Sequence, residues 1–245
     1  IEVCTSQTTG VNLLGFGAQG DFLLTRDINT IHGVGPRDRE LVFRRVEEMR
    51  PHILRTFFDY KWWEPSEGVK TPESQEIQDY LYWVRFLKSI GTSVLLTPWG
   101  DYFAYSDWML DGKARLPVPD KREAMVRSLV DFVEFLRRDQ GLDNVEYLCL
   151  MNEPDNDPRT TPEVEEYVEL NRLLDKKLRE RGLRDEIFLL GVDDCRGGPA
   201  TITKWYRDVI SEGLEYADGV SAHTYVHGYV PPLESWVKTR IDLVN

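Results

Sequence analysis

The sequence predicts an α/β protein, a (β/α)8 TIM barrel of which about six βα units are present. Three observations carry that expectation. Six apolar, strand-like runs each precede a longer stretch of helical periodicity, the signature of a parallel sheet wrapped by helices. The runs are mostly continuous in hydrophobicity, as strands covered on both faces are. The segments leaving the strands are long, at 59–70, 98–119 and 152–161, whereas the returns from helix to strand are only a few residues. Long loops on one face are how a barrel builds a site.

Taken in order, the first strand is expected at 12–17 and the second at 52–58. The helix that follows has its start signal in Thr71-Pro72-Glu73, its apolar stripe in Ile77, Leu81, Val84 and Leu87, and its end at Gly91. A third strand at 93–97 and a fourth at 145–150 come next, and Thr161-Pro162-Glu163 and Gly182 bracket the fourth helix in the same manner. The fifth and sixth strands are expected at 187–192 and 219–223. A last helix, 233–244, stands where a seventh strand is due, and a six-stranded wall leaves two edges unpaired. The chain is therefore expected to be one domain, 1–245, truncated before strand seven, with the missing C-terminal part of the same barrel as a partner.

Composition narrows the function. At 41% hydrophobic and 29% charged, the chain has the material for a large core and lacks the signature of disorder. A formal net charge of -12 argues against nucleic acid and against anionic membrane surfaces, whose binders concentrate Lys and Arg. No apolar run approaches the ~18 residues of a membrane span. The three cysteines, Cys4, Cys149 and Cys195, fit neither a disulfide framework nor a zinc spacing.

The most informative tetrapeptide is Met151-Asn152-Glu153-Pro154, directly after the fourth strand. A carboxylate at the C-terminal end of a barrel strand points into the mouth, the preceding Asn can offer its amide to a sugar hydroxyl, and Pro stiffens the turn. The second strand runs out through Leu54-Arg55-Thr56-Phe57-Phe58-Asp59-Tyr60-Lys61-Trp62-Trp63, and the sixth through Ser221-Ala222-His223-Thr224-Tyr225. With these residues the chain resembles, over nearly its whole length, the clan A glycoside hydrolases, a large set of retaining (β/α)8 enzymes that includes families five, thirty and thirty-nine.

The resemblance implies roles. Glu153 matches the general acid/base after strand four, and Asn152 the residue that contacts the sugar 2-hydroxyl. Arg55 matches the Arg that holds the nucleophile ionised, while His223 and Tyr225 match a His-x-Tyr pair after strand six. The nucleophile itself, a Glu at the end of strand seven, is expected beyond residue 245, and Glu234 lies too soon after His223 to take its place. Each role has a bland competitor. Arg55 also reads as a structural ion-pair partner inside the barrel, His223 as a satisfied core histidine and Tyr225 as packing. Asp193 and Asp194, after strand five, read either as partners for sugar hydroxyls, with Asp194 taken as the binding residue, or as a helix-cap feature.

Aromatic residues make a separate case for carbohydrate. Trp62, Trp63, Trp99, Tyr102, Phe103, Tyr105, Trp108, Tyr229 and Trp236 fall mainly in the strand-to-helix loops, where flat rings can cover the C–H face of a pyranose. Of these, Trp62, Trp63 and Trp99 are the candidate substrate platforms. The expected activity is retaining hydrolysis of O-glycosidic bonds in an oligo- or polysaccharide, with no cofactor and no metal. Two alternatives stand beside it. One is a barrel that binds carbohydrate without cleaving it; the other is a metal-dependent hydrolase using His223, His227, Asp101 and Asp194, whose spacing is unlike familiar ligand sets.

Overall fold

The computed structural model describes residues 15–20, 27–99, 104–111, 116–156, 161–195 and 204–223. Six strands pair in chain order and all in parallel, β1 (Gly17–Gln19), β2 (Ile53–Phe58), β3 (Ser93–Pro98), β4 (Val145–Cys149), β5 (Phe188–Asp194) and β6 (Gly219–Ala222). Between them lie α1 (Pro36–Met49), the short α2 (Tyr60–Trp63), α3 (Gln75–Ser89), α4 (Arg122–Glu134), α5 (Val164–Glu180) and α6 (Lys204–Ser211). The sheet is a curled partial barrel with its helices on the outer face, the arrangement the alternation predicts. The helix expected at 233–244 lies outside the described residues.

Two boundaries differ from the expectation. The first strand is Gly17–Gln19 rather than 12–17, of which 12–14 are not among the described residues. Pairing with β2 begins at Gly17↔Ile53, where a side chain has no room, since a Cβ on Gly17 would sit 2.8 Å from the Ile53 carbonyl oxygen. Phe16, which closes the apolar run, is 81% exposed, so the run and the paired segment do not coincide. The second difference is at α3. Ser74, not Thr71, caps it, its Oγ accepting from the Ile77 N–H at 3.3 Å, whereas the Thr71 hydroxyl donates back to the Trp62 carbonyl at 3.0 Å.

The core sits between sheet and helices. Phe58 at the end of β2 stacks on Phe132 of α4 with centroids 4.2 Å apart, and both rings are fully buried. Trp83 of α3 takes the edge of Phe43 from α1 at 5.3 Å. Because successive strand residues face opposite sides, Phe58 against the helices places Arg55 and Phe57 on the concave face, where the Arg55 guanidinium lies 5.0 Å from the Phe57 ring centroid. The start of β4 is anchored from below, Arg137 Nη1 donating to the carbonyls of Asp143 at 2.7 Å and Val145 at 2.5 Å. Arg137 reaches them from a π-turn, Phe135–Asp139, that extends α4. That anchoring fixes the strand whose other end carries Asn152 and Glu153.

Candidate active site

Beyond its last strand residue β4 stays tied to β3, the Asn152 N–H donating to the Pro98 carbonyl at 2.9 Å. The next residue leaves the ladder sharply. Glu153 has φ 42°, in the left-handed region that a branched or long side chain seldom adopts. Pro154 disfavours the right-handed helical conformation for the residue before it, and such a backbone persists only where surrounding contacts over-determine it. Those contacts are visible. The Glu153 N–H lies 3.3 Å from Asp193 Oδ2, its carbonyl accepts from the Asn156 N–H at 3.0 Å, and Asn156 Nδ2 donates to Glu153 Oε2 at 3.0 Å. Asp155 adds a tie to the end of β5, accepting from the Cys195 N–H at 3.0 Å.

Around Glu153 the ends of five strands converge. Arg55 of β2 donates from Nε to the Thr97 hydroxyl of β3 at 3.2 Å and from Nη2 to Asn152 Oδ1 at 2.8 Å and Asp193 Oδ2 at 2.7 Å. His223, one residue past β6, donates from Nδ1 to Glu153 Oε1 at 2.6 Å. Its Nε2 stands 3.0 Å from Asp193 Oδ1 and 2.6 Å from Arg55 Nη1. The Arg55, Glu153 and His223 side chains keep 10–16% of their surface exposed, whereas Asp193 keeps 1%. The group is thus open above, at Glu153, and sealed below, at Asp193.

The charges hold one another. Burial works to protonate Asp193, but the hydrogen bond from His223 and the Arg55 charge outweigh it and hold the carboxyl down at about 2. For His223, burial works to discharge the ring. The hydrogen bonds to Asp193 and then Glu153 outweigh burial and the opposing Arg55, and raise it to about 9. Two neighbours of Nε2 make opposite demands: a bare nitrogen would accept from Arg55, a protonated one donates to Asp193. With a carboxylate at each ring nitrogen against one guanidinium, the local balance favours the charged ring.

Of the residues singled out from sequence, Arg55, Asn152, Glu153 and His223 meet in one network. Trp99 stands beside it, half-buried, edge-on to Phe57 at 4.2 Å between centroids. Trp62 is half-buried at the rim, packed against the core. Trp63 goes elsewhere: at 3% exposed it packs on Phe132 and Phe135 of the helical layer, centroids 5.3 and 4.9 Å away, with the Lys70 ammonium over its ring. No sugar reaches a ring so enclosed. Tyr105, 3% exposed, is likewise core, stacked on Tyr60. Asp194 ends β5 opposite Ala222, its side chain lying outside the described residues, as do Tyr225, His227, Asp101, Tyr229 and Trp236. The residue that sequence reasoning undervalued is Asp193, read there with Asp194 either as a partner for sugar hydroxyls or as a helix-cap feature and ranked below the others. Its signal was its place at the end of a buried strand, where a carboxylate needs a partner.

No family model matches the chain, and no curated protein does. Solved structures do. A GH30 endoxylanase from Clostridium papyrosolvens superposes with a TM-score of 0.57 at 15% identity, over 87% of this chain and 50% of that one. A family 39 glycoside hydrolase from Bacteroides cellulosilyticus gives 0.56 at 18% identity over 77% and 36%, and SrfJ from Salmonella typhimurium 0.58 at 13% over 85% and 50%. The likeness is one of fold. Two of the three bear the family numbers, thirty and thirty-nine, to which the strand-end motifs pointed. The chain spans half or less of the length of each.

Proposed function

We propose that this chain carries the acid/base side of a retaining glycoside hydrolase that cleaves O-glycosidic bonds of an oligo- or polysaccharide by double displacement. One observation carries the reading. Glu153 sits at the C-terminal end of β4 on a left-handed backbone, its carboxyl held by His223 and Asn156 and its neighbour Asn152 held by Arg55. Strain of about 1–3 kcal/mol at the end of a strand is the kind that is kept for aim. The glycosidase names of the fold neighbours agree with it.

In the first step Glu153 gives its proton to the leaving oxygen while a second carboxylate attacks the anomeric carbon from ~5–5.5 Å away. That second group is proposed to be a Glu on a seventh strand, C-terminal to β6. Asp193 is unsuited to the task, being sealed from the mouth and paired with Arg55. In the second step Glu153, now ionised, takes the proton of the incoming water. Because Asn152 Oδ1 accepts from Arg55, the amide is oriented with its Nδ2 N–H groups left for a sugar hydroxyl, a contact that strengthens as the ring flattens. Arg55 spends three of its five N–H groups on Thr97, Asn152 and Asp193, which leaves those on Nη1 for the nucleophile. Trp99 provides the platform for the sugar face. The reaction uses neither metal nor cofactor.

The test is Glu153→Gln in the protein that includes the seventh strand, assayed on phenyl and dinitrophenyl β-xylosides and β-mannosides. The phenyl glycosides, which need the proton, should slow by ~10²–10⁴, and the dinitrophenyl ones less in forming the intermediate. Breakdown then lacks its base, so a burst precedes slow turnover, and azide should restore turnover as a glycosyl azide of retained configuration. Equal losses on both leaving groups, with no response to azide, would remove Glu153 from the role.

A further inference from the structure

Among the buried charged groups at the mouth, one is given no task by the double displacement. Asp193 is 1% exposed, so substrate does not touch it. As a plain counter-ion for Arg55 it would need a single oxygen, and Oδ2 serves, 2.7 Å from Nη2. The carboxylate does more. The same Oδ2 faces the N–H of Glu153 at 3.3 Å, and Oδ1 faces Nε2 of His223 at 3.0 Å. The other nitrogen of that ring grips Glu153 Oε1 at 2.6 Å. Asp193 therefore reaches Glu153 twice, once at its backbone, where φ is 42°, and once at its carboxyl through the imidazole.

We propose that Asp193 is a positioning residue for Glu153, fixing the direction of its carboxyl through the His223 ring and through the Glu153 N–H. The proposal rests on the acid/base reading of Glu153. It differs from a structural role in what its loss does. A residue that only keeps the barrel folded, or only neutralises Arg55, lowers the activity on every substrate by one factor. A residue that aims the proton donor matters where a proton is needed and little where the leaving group departs unaided.

The experiment compares Asp193→Asn with Glu153→Gln in the protein that includes the seventh strand, reading kcat/KM on the phenyl and dinitrophenyl glycosides, a parameter that covers only the first displacement. For Asp193→Asn the phenyl glycoside should lose ~10²-fold and the dinitrophenyl glycoside no more than about threefold. If Glu153→Gln shows that contrast and Asp193→Asn lowers both substrates equally, Asp193 is structural and the proposal falls alone. If Glu153→Gln shows no contrast, it is the acid/base reading that fails. A second measurement needs no Asp193 variant and so survives misfolding. In the wild-type protein, imidazole nitrogen NMR, with His223 picked out of the four histidines by His223→Gln, should find a proton on Nε2 at about pH 7. A bare Nε2, accepting from Arg55 instead, would mean that Asp193 does not hold the ring, and would overturn the proposal.

Discussion

Raising the pH should loosen this protein through one ring. The ordinary His value of 6.5 rises to about 9 for His223, against burial, because Asp193 and Glu153 hydrogen-bond to the two ring nitrogens. A group whose folded value lies above its unfolded one stabilises the fold fully below the unfolded value, and that stability is lost as pH rises through the folded one. For His223 the window runs from 6.5 to about 9, and the displacement corresponds to about 3 kcal/mol. Asp193 works at the other end. Its value is held down at about 2 from 3.8, so its contribution is present above 3.8 and disappears as pH falls through about 2. Between the two windows both contributions are complete. The assay is denaturant unfolding at about pH 6 and about pH 9.5, wild type beside His223→Gln, since the difference between the two cancels every other titrating group. Wild type should lose about 3 kcal/mol more than the variant over that interval. Parallel losses in the two proteins would refute the reasoning, for they would show that the ring is uncharged throughout and that Arg55, not Asp193, governs Nε2.

Two further predictions concern the aromatic rim and the loop behind it. Trp63→Ala should cost about 3–5 kcal/mol in calorimetric or denaturant unfolding, since it empties a site 3% exposed, while Trp99→Ala should leave the melting temperature nearly unchanged and raise KM for glycosides; the reverse pattern would mean that the two rings have been assigned to the wrong layers. Ser74→Ala removes both the α3 cap and the bond from Ser74 Oγ to the Trp62 carbonyl at 3.1 Å, and should lower stability by about 1–2 kcal/mol, an idea that an unchanged melting temperature would sink.

Much of this was readable in the residues, and the exceptions share a cause. Strands two to six lie within a residue or two of where the apolar runs put them, because a strand buried on both faces has no option but to be apolar. The first strand was misplaced, since its pairing depends on glycines at a close approach to β2, and a glycine carries no hydrophobic signal. The helix after β2 was begun three residues early, because Thr71 and Ser74 have the same chemistry and both donate to the Trp62 carbonyl, while only the Ser74 Oγ also meets a first-turn N–H, that of Ile77.

The site shows the same division. Motif and strand end together located Glu153, Asn152, Arg55 and His223, for each sits where a barrel strand opens into its mouth. The loop tryptophans were less legible. A loop aromatic can lie over a sugar or under its own backbone, and Trp62 and Trp63, adjacent in sequence, go to different places because a one-turn helix, α2, rotates them apart. Asp193 and Asp194 posed the same choice on a strand, where neighbours face opposite sides. The sequence reading ranked both below the other residues and took Asp194 as the binding residue. The buried neighbour is the one whose partners can be named, among them Arg55, His223, Ser221 and the N–H of Glu153. The bland reading of Arg55, an ion-pair partner inside the barrel, is the contact with Asp193, whereas the functional one, a charge beside the nucleophile, belongs to the proposal. Tied to Thr97 as well as to Asp193, the guanidinium holds the Asn152 amide by its Oδ1.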